Sequence, residues 1–216
     1  MRCLVTAGPT YEPLDRVRRL TNFSTGSLGT ELANRLVADG HEVLLLRAEE
    51  ASATPPVAAV SVESFSTTSD LAARFLGHTT TDRIAIFHAA AVSDFTFGLV
   101  YDRDEAGTLT PIYQGKLNTR RGAIFAELKP TPKILVNLRE WYPKALIIGW
   151  KYEVDGLLDD AVEKGLSQLA DCSTDYCVIN GPAYGSGFGL AQRGGQLWHL
   201  SSRAELYQRL LELVAS

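Results

Sequence analysis

The sequence predicts an α/β fold: a doubly wound, mostly parallel sheet covered by helices on both sides, with one β-rich excursion. Three observations predict it. Strand-like apolar runs alternate with segments of helical period along most of the chain. Several of the runs, Val43-Leu44-Leu45-Leu46 among them, are unbroken rather than alternating, as strands buried on both faces are. The first helical segment ends at Gly40-His41 and leads straight into Val43, which makes the start of the chain a right-handed βαβ unit.

Taken in order, strands are expected at about 2–6, 42–47, 57–62, 83–89, 145–150 and 175–179, and helices at about 27–39, 69–76, 131–140, 155–170 and 203–214. Between the second and third strands, Ala48 to Pro56 is a loop rich in Ala, Glu and Pro. From Ser93 to about Lys129 the pattern breaks. Turn residues (Asp102-Arg103-Asp104-Glu105-Ala106-Gly107) and short β-prone pieces appear there without a helix. So long a stretch inside a βα repeat reads as a flap or partner-contacting arm, about 93–129, and equally as a solvated loop. It carries Lys116, Arg120 and Arg121, cations that suit a lid over an anion. The glycine-rich run Gly185-Ser186-Gly187-Phe188-Gly189 reads as a mobile surface loop, with an extra binding loop as the alternative. Gly194 to Leu200 then gives a turn and a short strand before the last helix. No repeat or linker divides residues 1–216, so one Rossmann-like domain is expected.

Composition narrows the function. A net charge of −4 argues against nucleic acid as a partner, because there is no surplus of basic charge to neutralise phosphates. No apolar run approaches the roughly 18 residues of a membrane span, and no secretory pattern opens the chain, so a cytoplasmic location is expected. Three cysteines, an odd number, read as reduced thiols: Cys3 and Cys177 in apolar strands, Cys172 with no His or CxxC partner. Four scattered histidines make no metal site.

The chemistry concentrates in Arg18-Arg19-Leu20-Thr21-Asn22-Phe23-Ser24-Thr25-Gly26-Ser27-Leu28-Gly29, between the first strand and the first helix. Ser24, Thr25, Gly26 and Gly29 put hydroxyls and nearly bare backbone at a helix start, where unpaired N–H groups and the dipole favour phosphate. Gly29 also lets the helix approach the first strand. Asn22 sets an amide at the lip, with Arg18 and Arg19 just before it. The same run also reads as a capping turn. Ligands of such sheets bind at the carboxyl ends of the strands. Those ends are Thr6-Ala7-Gly8-Pro9-Thr10, His88-Ala89-Ala90-Ala91-Val92-Ser93-Asp94-Phe95, Gly149-Trp150-Lys151-Tyr152-Glu153 and Val178-Ile179-Asn180-Gly181-Pro182. The alanines leave room for a flat group, Asp94 offers a carboxylate, and Trp150 and Tyr152 offer stacking surface beside Lys151. Asn180 reads as a base-edge reader or as a turn residue. Nicotinamide redox chemistry is disfavoured: Gly8, Gly26 and Gly29 are too widely spaced for GxGxxG, and the second strand ends Leu46-Arg47 without a ribose-binding acid.

Together these motifs resemble the phosphopantothenate–cysteine ligase (phosphopantothenoylcysteine synthetase) family. The matching pieces run in family order: Val5 to Thr10, Val17 to Gly29, Ala89 to Phe95, Gly115-Lys116-Leu117, Pro130 to Leu135, Pro143 to Glu153 and Asp175 to Asn180. The resemblance implies an amide ligase of coenzyme A biosynthesis. A nucleoside triphosphate, CTP or ATP with Mg2+, activates the carboxylate of 4′-phosphopantothenate as an acyl-nucleotidylate, and cysteine then displaces the nucleotide. It implies that Asn22 holds the carboxylate and its intermediate, that Arg18 steadies the amide end or the anionic substrate, and that Lys116 meets the triphosphate or the developing charge. It further implies that Gly8, Thr10, Ser24, Thr25 and Gly26 face the phosphates, with Ala89, Ala90 and Asp94 beside the reacting groups. Gly149, Trp150, Lys151, Tyr152 and Asn180 would surround the nucleoside. A homodimer whose flap covers the neighbouring site, and a possible separate decarboxylase partner, are also implied. The sequence departs from the CTP-dependent pattern of two lysines a helical turn apart: Lys164 is present, but Gln168 follows it. Trp150 stands for the usual Phe, and Glu153-Val154 for the acid-threonine pair. The alternatives left by these departures are a nucleotide- or flavin-binding module without ligase activity, or a related ligase with another substrate.

Overall fold

The computed structural model describes residues 1–113, 115–118 and 122–215, so Arg120 and Arg121 lie outside the described residues. Six parallel strands form its centre: β1 (Arg2–Ala7), β4 (Glu42–Ala48), β5 (Ser61–Phe65), β6 (Ala85–His88), β10 (Leu146–Tyr152) and β11 (Tyr176–Asn180). Two antiparallel strands, β12 (Phe188–Gln192) and β13 (Leu197–Leu200), extend one edge. The order is β13-β12-β11-β10-β6-β1-β4-β5. From β1 the chain winds outward to β4 and β5, then returns to lay β6 on the other side of β1. The order reverses between β1 and β6, and the crevice at their carboxyl ends is where such sheets take ligands.

The unbroken apolar runs are explained by the two faces of the sheet. Val5, Leu45, Phe87 and Ile148 point to one side and pack with Leu32 and Leu36 of α1 (Ser27–Ala38) and Leu206 and Leu210 of α5 (Arg203–Ala215). Their neighbours Leu4, Leu44, Ile86 and Ile147 point to the other side, against Phe75 of α2 (Thr68–Gly77) and Leu138 of α3 (Ile134–Trp141). Further along that side, Cys177 and Ile179 pack on Ala161 and Leu169 of α4 (Leu158–Asp171). Period-2 side chains on a two-sided sheet turn apolar residues to both faces. All three cysteines are buried and free.

The excursion is a separate antiparallel sheet of β7 (Phe95–Arg103), β8 (Leu109–Ile112) and β9 (Ile124–Pro130), in the order β8-β7-β9. Its turn sits where Asp and Gly marked it: Gly107 N–H donates to Asp104 O at 3.0 Å and Thr108 N–H to the Asp104 carboxylate at 2.8 Å. A small hairpin, β2 (Tyr11–Pro13) with β3 (Arg19–Thr21), was not expected.

Three expectations need correction. The third strand starts at Ser61, not 57: Val57 to Val60 form a turn, closed by Val60 N–H on Val57 O at 3.0 Å, with Val60 plugged into the core. The apolar run marks that plug, whereas the edge strand after it carries exposed Ser61 and Val62. The third helix-like segment starts at Ile134, not 131, because Pro130 and Pro132 keep the preceding residues extended and Lys133 becomes the N-cap. The run Gly185 to Gly189 is no free loop: Phe188 and Gly189 begin β12, Phe188 is buried, and the Gly189 Cα lies against the Tyr184 ring.

Candidate active site

The N-cap of α1 is Gly26, whose φ of 78° is left-handed and suits glycine, and no side chain caps the helix. A Cβ on Gly26 would stand 3.0 Å from the Gly8 nitrogen, and one on Gly29 only 2.6 Å from Thr6 O. The helix mouth is therefore pressed onto the end of β1, and Ser24, Thr25 and Gly26 open into a cleft of about 1290 Å³. The Thr25 hydroxyl accepts from Ser27 N–H at 3.3 Å. The positive end of the α1 dipole thus faces the cleft beside two hydroxyls, an arrangement suited to phosphate.

The segment after β6 forms the floor. Ala91 N–H donates to Gly8 O at 3.0 Å, and the Asn22 amide donates to Ala91 O at 3.1 Å. Asn22 is thereby held over the end of β6, with Ala89, Ala90 and Asp94 lining the same cleft. Beneath the alanines, Thr6 Oγ1 accepts from Ala90 N–H and sits 3.0 Å from His88 Nδ1. His88 packs edge-on against Phe75, and its burial lowers its pKa to about 4, so the imidazole is neutral. Asp94 is ion-paired with Lys133. The two are fixed side by side by the backbone, since Thr131 N–H donates to Asp94 O at 3.0 Å.

The third wall comes from β10, β11 and α4: Trp150, Lys151, Tyr152, Asn180 and Lys164. Glu153 takes Lys151 at 3.1 Å and Lys164 at 2.6 Å, and these ammonium groups hold its carboxyl below the usual range against the opposing effect of burial. Gln168, where a second lysine was sought, donates its amide to Trp150 O and toward Cys177 Sγ, both at 3.3 Å, and lies across the Gly149 Cα. Trp150 Nε1 and Asn180 Oδ1 are buried and have no partner. Both atoms belong to residues that line the cleft, and each stands as an exception to the rule that buried polar groups are paired.

Of the residues singled out from sequence, Asn22, Ser24, Thr25, Gly26, Ala89, Ala90, Asp94, Trp150, Lys151, Tyr152, Lys164 and Asn180 converge on this one cleft. Gly8, Thr10 and Gly149 do not line it. Gly8 lies behind Gly26, and Thr10 is fully buried, its hydroxyl accepting from Ser93 N–H at 2.8 Å. Gly149 is roofed by Gln168 and Leu135. All three lie in the walls behind the residues that line the cleft. Arg18 and Lys116 also lie outside this cleft within one chain. The Arg18 guanidinium is engaged by Asp15 at 2.7 Å and by Leu117 O at 3.3 Å, and it borders a second, smaller cavity of about 330 Å³ at the base of the arm. Residues that sequence reasoning passed over are Lys133, His88 and Arg203, all lining the main cleft. Lys133 lies in the matching piece Pro130 to Leu135 without a role assigned to it; the Pro-Thr-Pro ahead of it is the signal that it caps a helix at the cleft.

Fold and cleft together define a doubly wound α/β domain with a lysine-bearing cleft at its topological switch point. More particularly, residues 1–210 match the DNA/pantothenate metabolism flavoprotein C-terminal domain, and the chain belongs to that family. It is 32% identical over 187 residues to the coenzyme A biosynthesis bifunctional protein CoaBC of Bacillus subtilis, covering 86% of this chain and 42% of that protein. The chain spans about two fifths of the length of such curated relatives. Among solved structures, the DNA/pantothenate metabolism flavoprotein of Streptococcus pneumoniae superposes with a TM-score of 0.86 at 28% identity, covering 100% of this chain and 98% of that one. A Cab2 mutant in complex with phosphopantothenate-cysteine shares the fold, with a TM-score of 0.71 at 19% identity over 99% of this chain and 85% of that one. No helix among the described residues is long and apolar enough to cross a membrane.

Proposed function

We propose that the chain is a nucleotide-dependent amide ligase of coenzyme A biosynthesis, joining 4′-phosphopantothenate to cysteine. The observation that carries this is the Asn22 amide fixed at 3.1 Å on Ala91 O, in one cleft with the α1 mouth and the cations Lys133, Lys151 and Lys164. The family membership and the phosphopantothenate-cysteine bound by a protein of the same fold point the same way.

In this reading the pantothenate carboxylate attacks the α-phosphate of CTP or ATP, releasing pyrophosphate. The cysteine amine then attacks the acyl carbon, the nucleoside monophosphate leaves with the C–O electron pair, and the amine gives up a proton. Both steps need held charge more than an acid–base pair. Asn22 donates to the acyl oxygens, the α1 mouth with Ser24 and Thr25 takes phosphate, and Lys151 and Lys164 offset the polyphosphate charge. Trp150 Nε1 and Asn180 Oδ1 offer a donor and an acceptor to the nucleoside. Among the described residues no group of three or more His, Cys, Asp or Glu side chains gathers as a metal cage. Magnesium is accordingly assigned to the triphosphate it accompanies, screening its charge. Arg18 from the β2–β3 loop and Lys116 from the arm serve the reaction, in a homodimer. The product, a cysteine amide still bearing its carboxylate, suits a decarboxylase as the next partner.

Gln168 favours one rival. Its amide is turned into the wall, so α4 brings a single lysine, as a binding module that has lost catalysis would. The test is pyrophosphate release from purified protein with 4′-phosphopantothenate, cysteine, magnesium and CTP or ATP. Release with one nucleotide identifies class and nucleotide together, release that depends on another acid or amine identifies a different ligase, and silence with both rejects ligase activity.

A further inference from the structure

The loop between β2 and β3 holds a carboxylate that none of the residue patterns singled out. Asp15 has a side chain only 1% exposed. Its Oδ1 accepts from Val17 N–H and Arg18 N–H, both at 2.8 Å, which is an ordinary local loop closure. Its Oδ2 does something else. It accepts from Leu117 N–H at 3.0 Å, across 102 residues of sequence, and from Arg18 Nη1 at 2.7 Å. The same Arg18 Nη1 donates to Leu117 O at 3.3 Å, so both backbone groups of Leu117 are held by one Asp–Arg pair. On the other side of Lys116, Arg16 N–H donates to Gly115 O at 3.0 Å. Leu117 is buried while Lys116 is exposed, so the chain on either side of Lys116 is tied down and its own side chain is left free to reach.

We infer that Asp15 is a positioning residue for Lys116: with Arg18 it latches the arm segment 115–117 onto the β2–β3 loop and so fixes the base from which the Lys116 ammonium is presented. The inference rests on the reading that Lys116 serves the ligation. A neutral hydroxyl or amide in place of Asp15 could close the local loop but could not take four donors at once. The carboxyl is held below its usual range, foremost by the Leu117 N–H and then by the Val17 and Arg18 N–H groups and the guanidinium, against a smaller opposing effect of burial. It is therefore ionised, and the latch closed, at neutral pH.

The test compares Asp15→Asn, Lys116→Ala and the double variant of the full chain by turnover, with amide exchange at Leu117 as a second readout. Asp15→Asn is expected to speed exchange of the Leu117 amide about tenfold, the equivalent of one charge-assisted bond. It is also expected to lower kcat about tenfold alone, yet less than about twofold in the Lys116→Ala background, because a latch matters only for the lysine it places. An equal loss in both backgrounds, full turnover by Lys116→Ala, or unchanged Leu117 exchange overturns the inference. Should Asp15→Asn not fold, Asp15→Glu, which keeps the charge and displaces it by a methylene, goes through the same measurements. If the unaltered protein releases no pyrophosphate, the ligase reading falls, and the exchange at Leu117 alone decides for or against the latch.

Discussion

Asn22 and His88 sit on opposite sides of the same short segment after β6, and each puts a physical claim to the test. The Asn22 amide donates to Ala91 O at 3.1 Å, leaving its oxygen and second N–H toward the cleft. Asn22→Asp removes the donors and sets a carboxylate against both the Ala91 carbonyl and any acyl phosphate. We expect turnover to fall about a hundredfold, the scale on which removing one donor to a developing anion acts. Nucleotide affinity, which depends on the α1 mouth, should change less than about twofold; unchanged turnover would remove Asn22 from the mechanism. His88 carries a pH signature. Its pKa falls from 6.5 to about 4 through burial, so the unfolded chain binds the proton first. The contribution is complete above pH 6.5, declines as the pH falls below that, and levels off near 4. Between pH 7 and pH 5 this single group should remove about 2 kcal/mol at 1.36 kcal/mol per unit. Urea unfolding of the unaltered chain and of His88→Gln at both pH values isolates the effect. Equal pH sensitivity in the two proteins would show that another group is responsible.

At the scale of elements, the parts that sequence made legible are those whose signal is local and periodic. β1, β4, β6, β10, β11 and all five helices follow from apolar spacing, and the α1 mouth from its Ser, Thr and Gly. What was hidden depends on partners distant in sequence. The β2–β3 hairpin is two polar strands of three residues each, with no period to read. β12 lies behind glycines whose room is filled by Tyr184 and His199, contacts only the fold creates. The latch of Asp15 on Leu117 crosses 102 residues. Gly29 lies where local propensity and packing disagree, which makes it a clean test. In a free helix Gly29→Ala would stabilise by about 1 kcal/mol. Here the new methyl would stand 2.6 Å from Thr6 O and 2.8 Å from Ala7 Cβ, atoms of the central strand that cannot move aside cheaply. Overpacking of this kind costs about 1–3 kcal/mol, so the clash should win and the melting temperature should fall. A rise would mean that α1 is free to lift from β1, and that the helix mouth is not fixed where the cleft needs it.

For the whole molecule, the arm is the part that one chain leaves unfinished. Phe95, Leu99, Leu109, Phe125 and Leu128 of its three strands are each more than 40% exposed. Exposed apolar side chains gathered on one small sheet mark a surface suited to a partner. Two cations proposed to act in ligation, Arg18 and Lys116, stand at the base of this arm and not in the chain's own cleft. A second copy resolves both facts if each arm packs on its twin and delivers its lysine to the opposite cleft. The expected mass in solution is then twice 23.6 kDa, and Phe125→Asp with Leu128→Asp should return it to one copy with loss of turnover. Mixing two inactive variants decides which copy supplies the lysine. If Lys116 acts across the dimer, a mixed pair of Asn22→Ala and Lys116→Ala chains contains one cleft with Asn22 intact and a sound lysine from its neighbour. After free exchange of equal amounts, half the dimers are mixed and each has one live site of two, so about a quarter of full activity should return. If Lys116 serves its own chain, every site in every pairing lacks one of the two groups, and the mixture stays as inactive as its components.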